Sequence, residues 1–160
     1  MSNPADPSGI IIQRAEILSP TAQTLINALN VELLGRYPEE GACHFRLDAQ
    51  EVADGLGAFL IAFRWGTPVG CGAVRRIEVQ TGEIKRMYVV PQERGRGVGR
   101  AILNAIETEA RVLRLSRLVL ETGVRQTEAQ ALYERTGFTR IPPFGEYIDS
   151  PLSICMAKSL

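Results

Sequence analysis

The sequence predicts a mixed α/β (α+β) fold, and three observations carry the prediction. Residues 58–65, 69–79 and 83–90 are strand-like runs separated by short turns, the spacing of an antiparallel meander. After Pro91 the pattern changes to helix and strand in alternation. Within that second half Leu118-Val119-Leu120 is wholly apolar, as a central strand covered on both faces requires.

Taken in order, residues 1–9 form a Pro- and Ser-containing leader expected to be flexible, and residues 10–160 a single domain. Ile10-Ile11-Ile12 opens the first strand. Ser19 is placed to cap a helix with Pro20 at its first position, where the missing N–H costs little. Ala22, Leu25, Ile26, Leu29 and Leu33 supply the apolar stripe of that helix. Residues 35–57 are polar and irregular, with a short helix expected over 49–54; a connection this long is often functional. Gly66-Thr67-Pro68 and Thr81-Gly82 are read as the turns of the meander. Val98, Ala101, Ile102, Ala105, Ile106 and Leu113 follow the helical period. A further helix is expected over 126–135, with Gly137 as its stop signal and Phe138 opening a strand. Residues 153–157 form the last strand. The count is about seven strands and four helices.

Composition narrows the function. Eighteen basic and 18 acidic residues give zero net charge, which argues against a general nucleic-acid or anionic-membrane binder. The apolar run Ala58–Phe63 is too short to span a bilayer, and no signal peptide is visible, so a cytoplasmic protein is expected. The three cysteines, Cys43, Cys71 and Cys155, show no CxxC spacing and read as reduced thiols packed as small hydrophobes. His44 is the single histidine and reads as a loop residue; no metal site is expected.

The strongest chemical signal is Arg94-Gly95-Arg96-Gly97-Val98-Gly99-Arg100, between a strand and an amphipathic helix. Glycines at alternate positions let backbone amides approach an anion, and the helix start adds free N–H groups and its positive dipole end. Arg94, Arg96 and Arg100 add charge suited to phosphate oxygens. The dinucleotide pattern GxGxxG fails at Arg100 and Ile102, and no Gly-Lys-Ser/Thr of a P-loop is present. The segment reads as a pyrophosphate cradle.

These residues resemble the GNAT superfamily of N-acetyltransferases. The family motif, Arg/Gln-x-x-Gly-x-Gly/Ala after a strand ending in a hydrophobic-Pro pair, is matched by Met87-Tyr88-Val89-Val90-Pro91 followed by Arg94-x-x-Gly97-x-Gly99. A second landmark is matched by Leu118-Val119-Leu120-Glu121, Ala129-x-x-Leu132-Tyr133 and Gly137-Phe138. The resemblance covers residues 83–140. It implies acetyl-CoA as acyl donor and a mostly antiparallel sheet splayed at the cofactor site. Along the strand holding Met87, Tyr88 and Val89, the backbone groups of Met87 and Val89 would pair with pantetheine amides, and a backbone N–H would stabilise the oxyanion.

By the same resemblance Tyr133 is the candidate general acid for the departing thiolate, against a role as helix-face packing. Glu83 and Glu121 are the candidate bases for the incoming amine, against roles as solvated strand-end charges. A narrower likeness to bacterial small-molecule acetyltransferases rests on residues 83–89, 120–123 and 141–147. Beside it, Tyr37, Phe144 and Tyr147 are candidates to line an acceptor pocket and Lys85 or Arg86 to bind an acceptor carboxylate, against residues 141–147 being a Pro-fixed loop that covers the sheet edge. The expected partner is a small amine such as an amino acid or polyamine. The family also allows a homodimer, whose self-complementary contacts leave no signature in a sequence. Two rival readings are a non-catalytic acyl-CoA-binding sensor or subunit and transfer to a protein amine.

Overall fold

The computed structural model describes residues 7–160. Seven strands are present: β1 Ile10–Arg14, β2 Gly57–Arg64, β3 Thr67–Glu78, β4 Thr81–Val89, β5 Arg117–Gly123, β6 Thr139–Ile141 and β7 Ser153–Ser159. They form one sheet in the order β1-β2-β3-β4-β5-β7-β6, antiparallel throughout except for the parallel β4–β5 pair. Three α-helices flank it: α1 Pro20–Arg36, α2 Val98–Val112 and α3 Thr127–Arg135. The fourth expected helix is a single 3-10 turn, Ala49–Val52.

Most of the expected leader lies outside the described residues. Its end is tied to the sheet, because Trp65 N–H donates to Gly9 O at 2.9 Å and Ile10 N–H to Ser8 Oγ at 3.2 Å.

The cap of α1 is as the sequence indicated: Ser19 Oγ accepts the Ala22 N–H and Pro20 sits in the first turn. Alternate residues of β2 divide between two cores. Ala58, Leu60 and Ala62 pack with Ile102, Leu103 and Ile106 of α2, while Phe59 and Ile61 pack with Leu25 and Leu29 of α1. Fully burying each of these large side chains contributes about 1.5–3 kcal/mol. A Cβ on Gly72 of β3 would stand 2.7 Å from Ile102 Cγ2, so glycine there lets α2 lie close on the sheet.

Both turns of the meander differ from the sequence expectation. The β2–β3 loop is Trp65-Gly66, both at positive φ (49° and 84°), and Thr67 already belongs to β3. The β3–β4 loop is Val79-Gln80, since Glu78 pairs with Thr81. Gly82 lies inside β4, where a Cβ would come within 2.6 Å of Leu115 Cδ1. Its glycine serves packing, which a turn signal cannot be told from in sequence.

The feature that positions the site is a split. Registered pairing of β4 with β5 covers Thr81–Ile84 and Arg117–Leu120 only. Beyond it β4 stays with β3 and β5 with β7, so the sheet opens between Lys85 and Glu121. The opening coincides with a β-bulge: Cys71 pairs with Tyr88 and Ala73 with Lys85, so Gly72 alone opposes Arg86 and Met87. Arg86 carries the extra backbone turn at φ 59°.

Candidate active site

Two cavities flank the split. The larger encloses about 670 Å³, within the range of ligand pockets, and the smaller about 90 Å³. Leu29, Met87, Gln126 and Tyr133 line both, so the cavities meet there.

Met87, Tyr88, Val89, Arg94, Gly95, Gly97, Gly99 and Arg100 line the larger cavity. Gly95 and Gly97 have φ of 76° and 88°, a region that favours glycine, and a Cβ on either would meet nothing within 4 Å. Gly97 is the N-cap of α2 and offers no side-chain cap; the first backbone bond is Ala101 N–H to Gly97 O at 3.1 Å. The helix therefore presents free amides from its first turn toward open space.

Two members of the loop, Arg96 and Val98, lie off the cavity wall, and Gly99, which lines it, has a second role. Gly99 faces α3, where a Cβ would stand 2.8 Å from Leu132 Cδ2, so its small size also serves helix packing. Arg96 does not line the cavity; it is exposed and pairs with Glu93 at 3.5 Å. Val98 is 1% exposed and packs in the core. Arg94 reaches the cavity already neutralised, with Nη2 donating to Glu32 Oε1 at 2.7 Å and Nε to Val89 O at 2.9 Å. It ties the loop to α1 and β4, leaving Arg100 at the loop and Arg135 of α3 as the cations lining this cavity without a carboxylate partner among the described residues.

The smaller cavity is lined by Tyr37, Lys85, Arg86, Glu121, Tyr133 and Tyr147, among others. Tyr133 Oη has no hydrogen-bond partner among the described residues, so the hydroxyl is not spent on a carbonyl. Burial and the nearby Glu121 push its phenol above the ordinary value. Glu121 accepts from Ser153 Oγ at 3.1 Å, and burial raises its carboxyl to about 7. Glu83 lies behind the wall, 1% exposed, and does not line the cavity. Arg75 donates to its Oε1 at 2.7 Å and Tyr147 Oη to its Oε2 at 2.6 Å. The reading of Glu83 as a solvated strand-end charge is therefore corrected.

Of the aromatic residues, Tyr37 is buried at the end of α1 and its Oη accepts the Arg125 N–H at 2.9 Å. Gly123 accommodates it, since a Cβ there would fall 1.8 Å from that oxygen. Phe144 is not on the cavity wall; it backs Tyr147 edge-on, with ring centroids 5.2 Å apart. The sequence reading missed Gln126, Ser153, Glu146 and Asn30, and set His44 aside. His44 lines the cavity, stacks edge-on against Tyr147 at 5.0 Å and places Nδ1 3.9 Å from Glu146 Oε2. As the single histidine, it carried a signal that a loop assignment overlooked.

A sheet split beside a glycine-opened helix start, with a second cavity across the gap, is the site geometry that the resemblance in sequence implies. The chain belongs to the acetyltransferase (GNAT) family, whose model matches residues 23–138. It is 44% identical over 152 residues to the IAA acetyltransferase of Azospirillum brasilense, covering 94% of this chain and 98% of that one. A solved Klebsiella pneumoniae protein assigned as an acyl-CoA N-acyltransferase superposes with TM-score 0.80 at 33% identity, covering 96% of this chain and 99% of that one. A GNAT acetyltransferase from Elizabethkingia anophelis, solved with acetyl-CoA bound, shares the fold at TM-score 0.69 and 20% identity over 96% of this chain and 99% of that one. Among the described residues no helix is long and apolar enough to cross a membrane, and no group of three or more His, Cys, Asp or Glu is placed to hold a metal.

Proposed function

We propose that this protein is an acetyl-CoA-dependent N-acetyltransferase acting on the primary amine of a small molecule in the cytoplasm. The carrying observation is the meeting of the two cavities at Tyr133, one beside the glycine loop and one beside Glu121. The larger cavity suits acetyl-CoA: open Cβ positions at Gly95 and Gly97, the uncapped start of α2 and Arg100 together form an anion cradle. Bound acetyl-CoA would supply an acetyl thioester.

In this reading the first-turn amides of α2 and the Arg100 guanidinium hold the pyrophosphate, and the β4 edge freed beyond Ile84 lies along the pantetheine arm. Val89 O already accepts from Arg94, which leaves the Val89 N–H and the backbone groups of Met87, at the bulge, for that role. Glu121 is the base. An amine with pKa near 10 is mostly ammonium at neutral pH, and a carboxylate at about 7 is the better acceptor for its proton than an ordinary one. Glu83 is excluded from that role because both of its oxygens are engaged by buried donors, and it anchors Tyr147 instead. Tyr133 donates a hydrogen bond to the departing thiolate. Its raised phenol is a weaker acid than a thiol near 8.5, so stabilisation by the donor, not complete proton transfer, is its contribution. The narrow acceptor cavity, about 90 Å³, favours a small molecule over a protein amine.

The test is thiol release from acetyl-CoA with a panel of small amines. Turnover with any of them supports the reading. Binding of acetyl-CoA without turnover of any amine would reduce the protein to an acyl-CoA-binding module.

A further inference from the structure

In an unbroken strand Lys85 and Arg86 would face opposite sides of the sheet. Here both serve the same side. Ile84, the neighbour of Lys85, packs in the α2 core, which puts Lys85 on the other face with Glu83. Arg86, displaced by the bulge, reaches α1: its Nη2 donates to Ile26 O at 3.4 Å and to Asn30 Oδ1. Both side chains line the smaller cavity. The bulge thus gathers two cations where alternation would supply one.

Neither cation is hydrogen-bonded to a carboxylate among the described residues. Arg86 is 7% exposed and has no carboxylate partner among the described residues; the ring of Phe45 lies 5.2 Å from its guanidinium carbon. No hydrogen bond among the described residues engages its Nε or Nη1. The Lys85 side chain is 4% exposed, its ammonium makes no hydrogen bond among the described residues, and its ion-pair partner Glu146 Oε1 stands 3.7 Å away. The other acids around the cavity are occupied. Glu83 is held by Arg75 and Tyr147, Glu146 stands between Lys85 and His44, and Glu121 accepts from Ser153. A buried guanidinium without an anion is costly, and a carboxylate arriving with the substrate relieves that cost.

We infer that the acceptor amine carries a carboxylate, which Arg86 binds through its unused donors with Lys85 beside it. The acceptor class is then a small amino acid. A polyamine is excluded, because its second ammonium would meet two buried cations. The inference rests on the transferase reading above and deepens it.

The test sets each proteinogenic amino acid against its carboxamide and its decarboxylated amine, with putrescine and spermidine included, in the thiol-release assay. For the preferred amino acid, kcat/KM should exceed that of the matched carboxamide and amine at least roughly tenfold, as expected for losing a charge-assisted, bidentate contact. In Arg86→Gln the ratio should collapse toward one, with the loss appearing in the KM for the amino acid. Equal or better turnover of polyamines or decarboxylated amines overturns this inference and leaves the transferase reading intact. A preference that survives Arg86→Gln overturns the assignment to Arg86. No turnover of any amine overturns the transferase reading and this inference with it. The wild-type panel decides the substrate class even where Arg86→Gln does not fold.

Discussion

The larger cavity takes most of its lining from two contiguous stretches, residues 87–100 and 126–135, with three residues of α1 added. The smaller draws on α1, residues 37, 42–44, 84–87, 121–123 and 126, α3 and residues 147 and 152. One is a backbone site whose specification is the absence of side chains at Gly95 and Gly97. The other is a side-chain site whose charges, Lys85, Arg86 and Glu121, are perturbed by burial brought about by distant segments. Backbone sites are local and tolerate sequence change around them; side-chain sites depend on every element that covers them. If that contrast holds, substitutions on the two sides of Tyr133 should fail in different ways.

The largest effect is expected at Glu121. Replacing it in Glu121→Gln keeps the shape and the Ser153 contact but removes the base, and kcat should fall about 10²–10⁴-fold. In the wild type kcat/KM should climb as pH rises through about 7, and that limb should vanish in the variant. Stability gives a second readout. Because the folded carboxyl is raised from 4.5 to about 7, its contribution is fully present below the unfolded value and is lost as pH rises through about 7. Urea midpoints compared at about pH 5 and about pH 8 should therefore decline in the wild type and decline less in Glu121→Gln. An unchanged pH–rate profile would remove Glu121 as the base.

Next in size is Gly97→Val. At φ 88° a β-branched residue is strained by about 1–3 kcal/mol, so the loop must abandon the conformation that aims its amides. The dissociation constant for acetyl-CoA, read by calorimetry or by thermal shift, should rise about 5- to 150-fold, the same strain expressed in binding. The amine preference should be unaffected, because Gly97 lines only the larger cavity. Normal acetyl-CoA affinity in a folded Gly97→Val protein would break the comparison at its backbone side.

Tyr133→Phe tests the junction. The hydroxyl has no partner among the described residues, so its removal should leave the melting temperature nearly unchanged, while kcat in single turnover falls at least roughly tenfold. A packing tyrosine would show neither loss. A hydroxyl with a structural bond would show the reverse pattern, with stability lost and rate kept.

The order and type of the strands, the cap of α1 and the glycine loop were legible because each rests on local chemistry: periodicity, a Ser-Pro pair, glycines before a helix. What sequence could not carry is contact at long range. Gly82 and Gly99 resemble turn and loop glycines in sequence, yet each is small because Leu115 or Leu132 lies against it. Glu83 and Glu121 were equivalent candidates until the pleat sent one behind Tyr147 and the other to the cavity. The bulge at Arg86 is set by pairing with β3, and it decides which cations share a face.

The smallest effect is expected at the cysteines, and it sharpens the comparison by showing which buried polar groups of the acceptor side are inert. Cys71 is fully buried, with Sγ 3.2 Å from Arg86 O, and burial raises its thiol to about 12. Burial also raises Cys155, beside Glu121 in register, and Cys43 on the cavity wall. A thiol held above its ordinary value is protonated at neutral pH and a poor nucleophile. An acyl-cysteine step would need the opposite, a depressed thiol in an electropositive and accessible place. Substituting Cys43→Ser, Cys71→Ala and Cys155→Ala together removes all three sulfurs. The triple variant should lose stability, mainly at Cys71, where a small cavity remains under the bulge. Its single-turnover rate per folded molecule should stay within about twofold to threefold of wild type, since direct attack by the amine on the thioester requires no protein nucleophile. Mass spectrometry of wild type mixed with acetyl-CoA alone should show no acetyl adduct on any cysteine. An adduct, or abolished turnover in a well-folded triple variant, would replace direct transfer with a covalent route and make one of these thiols the centre of the site.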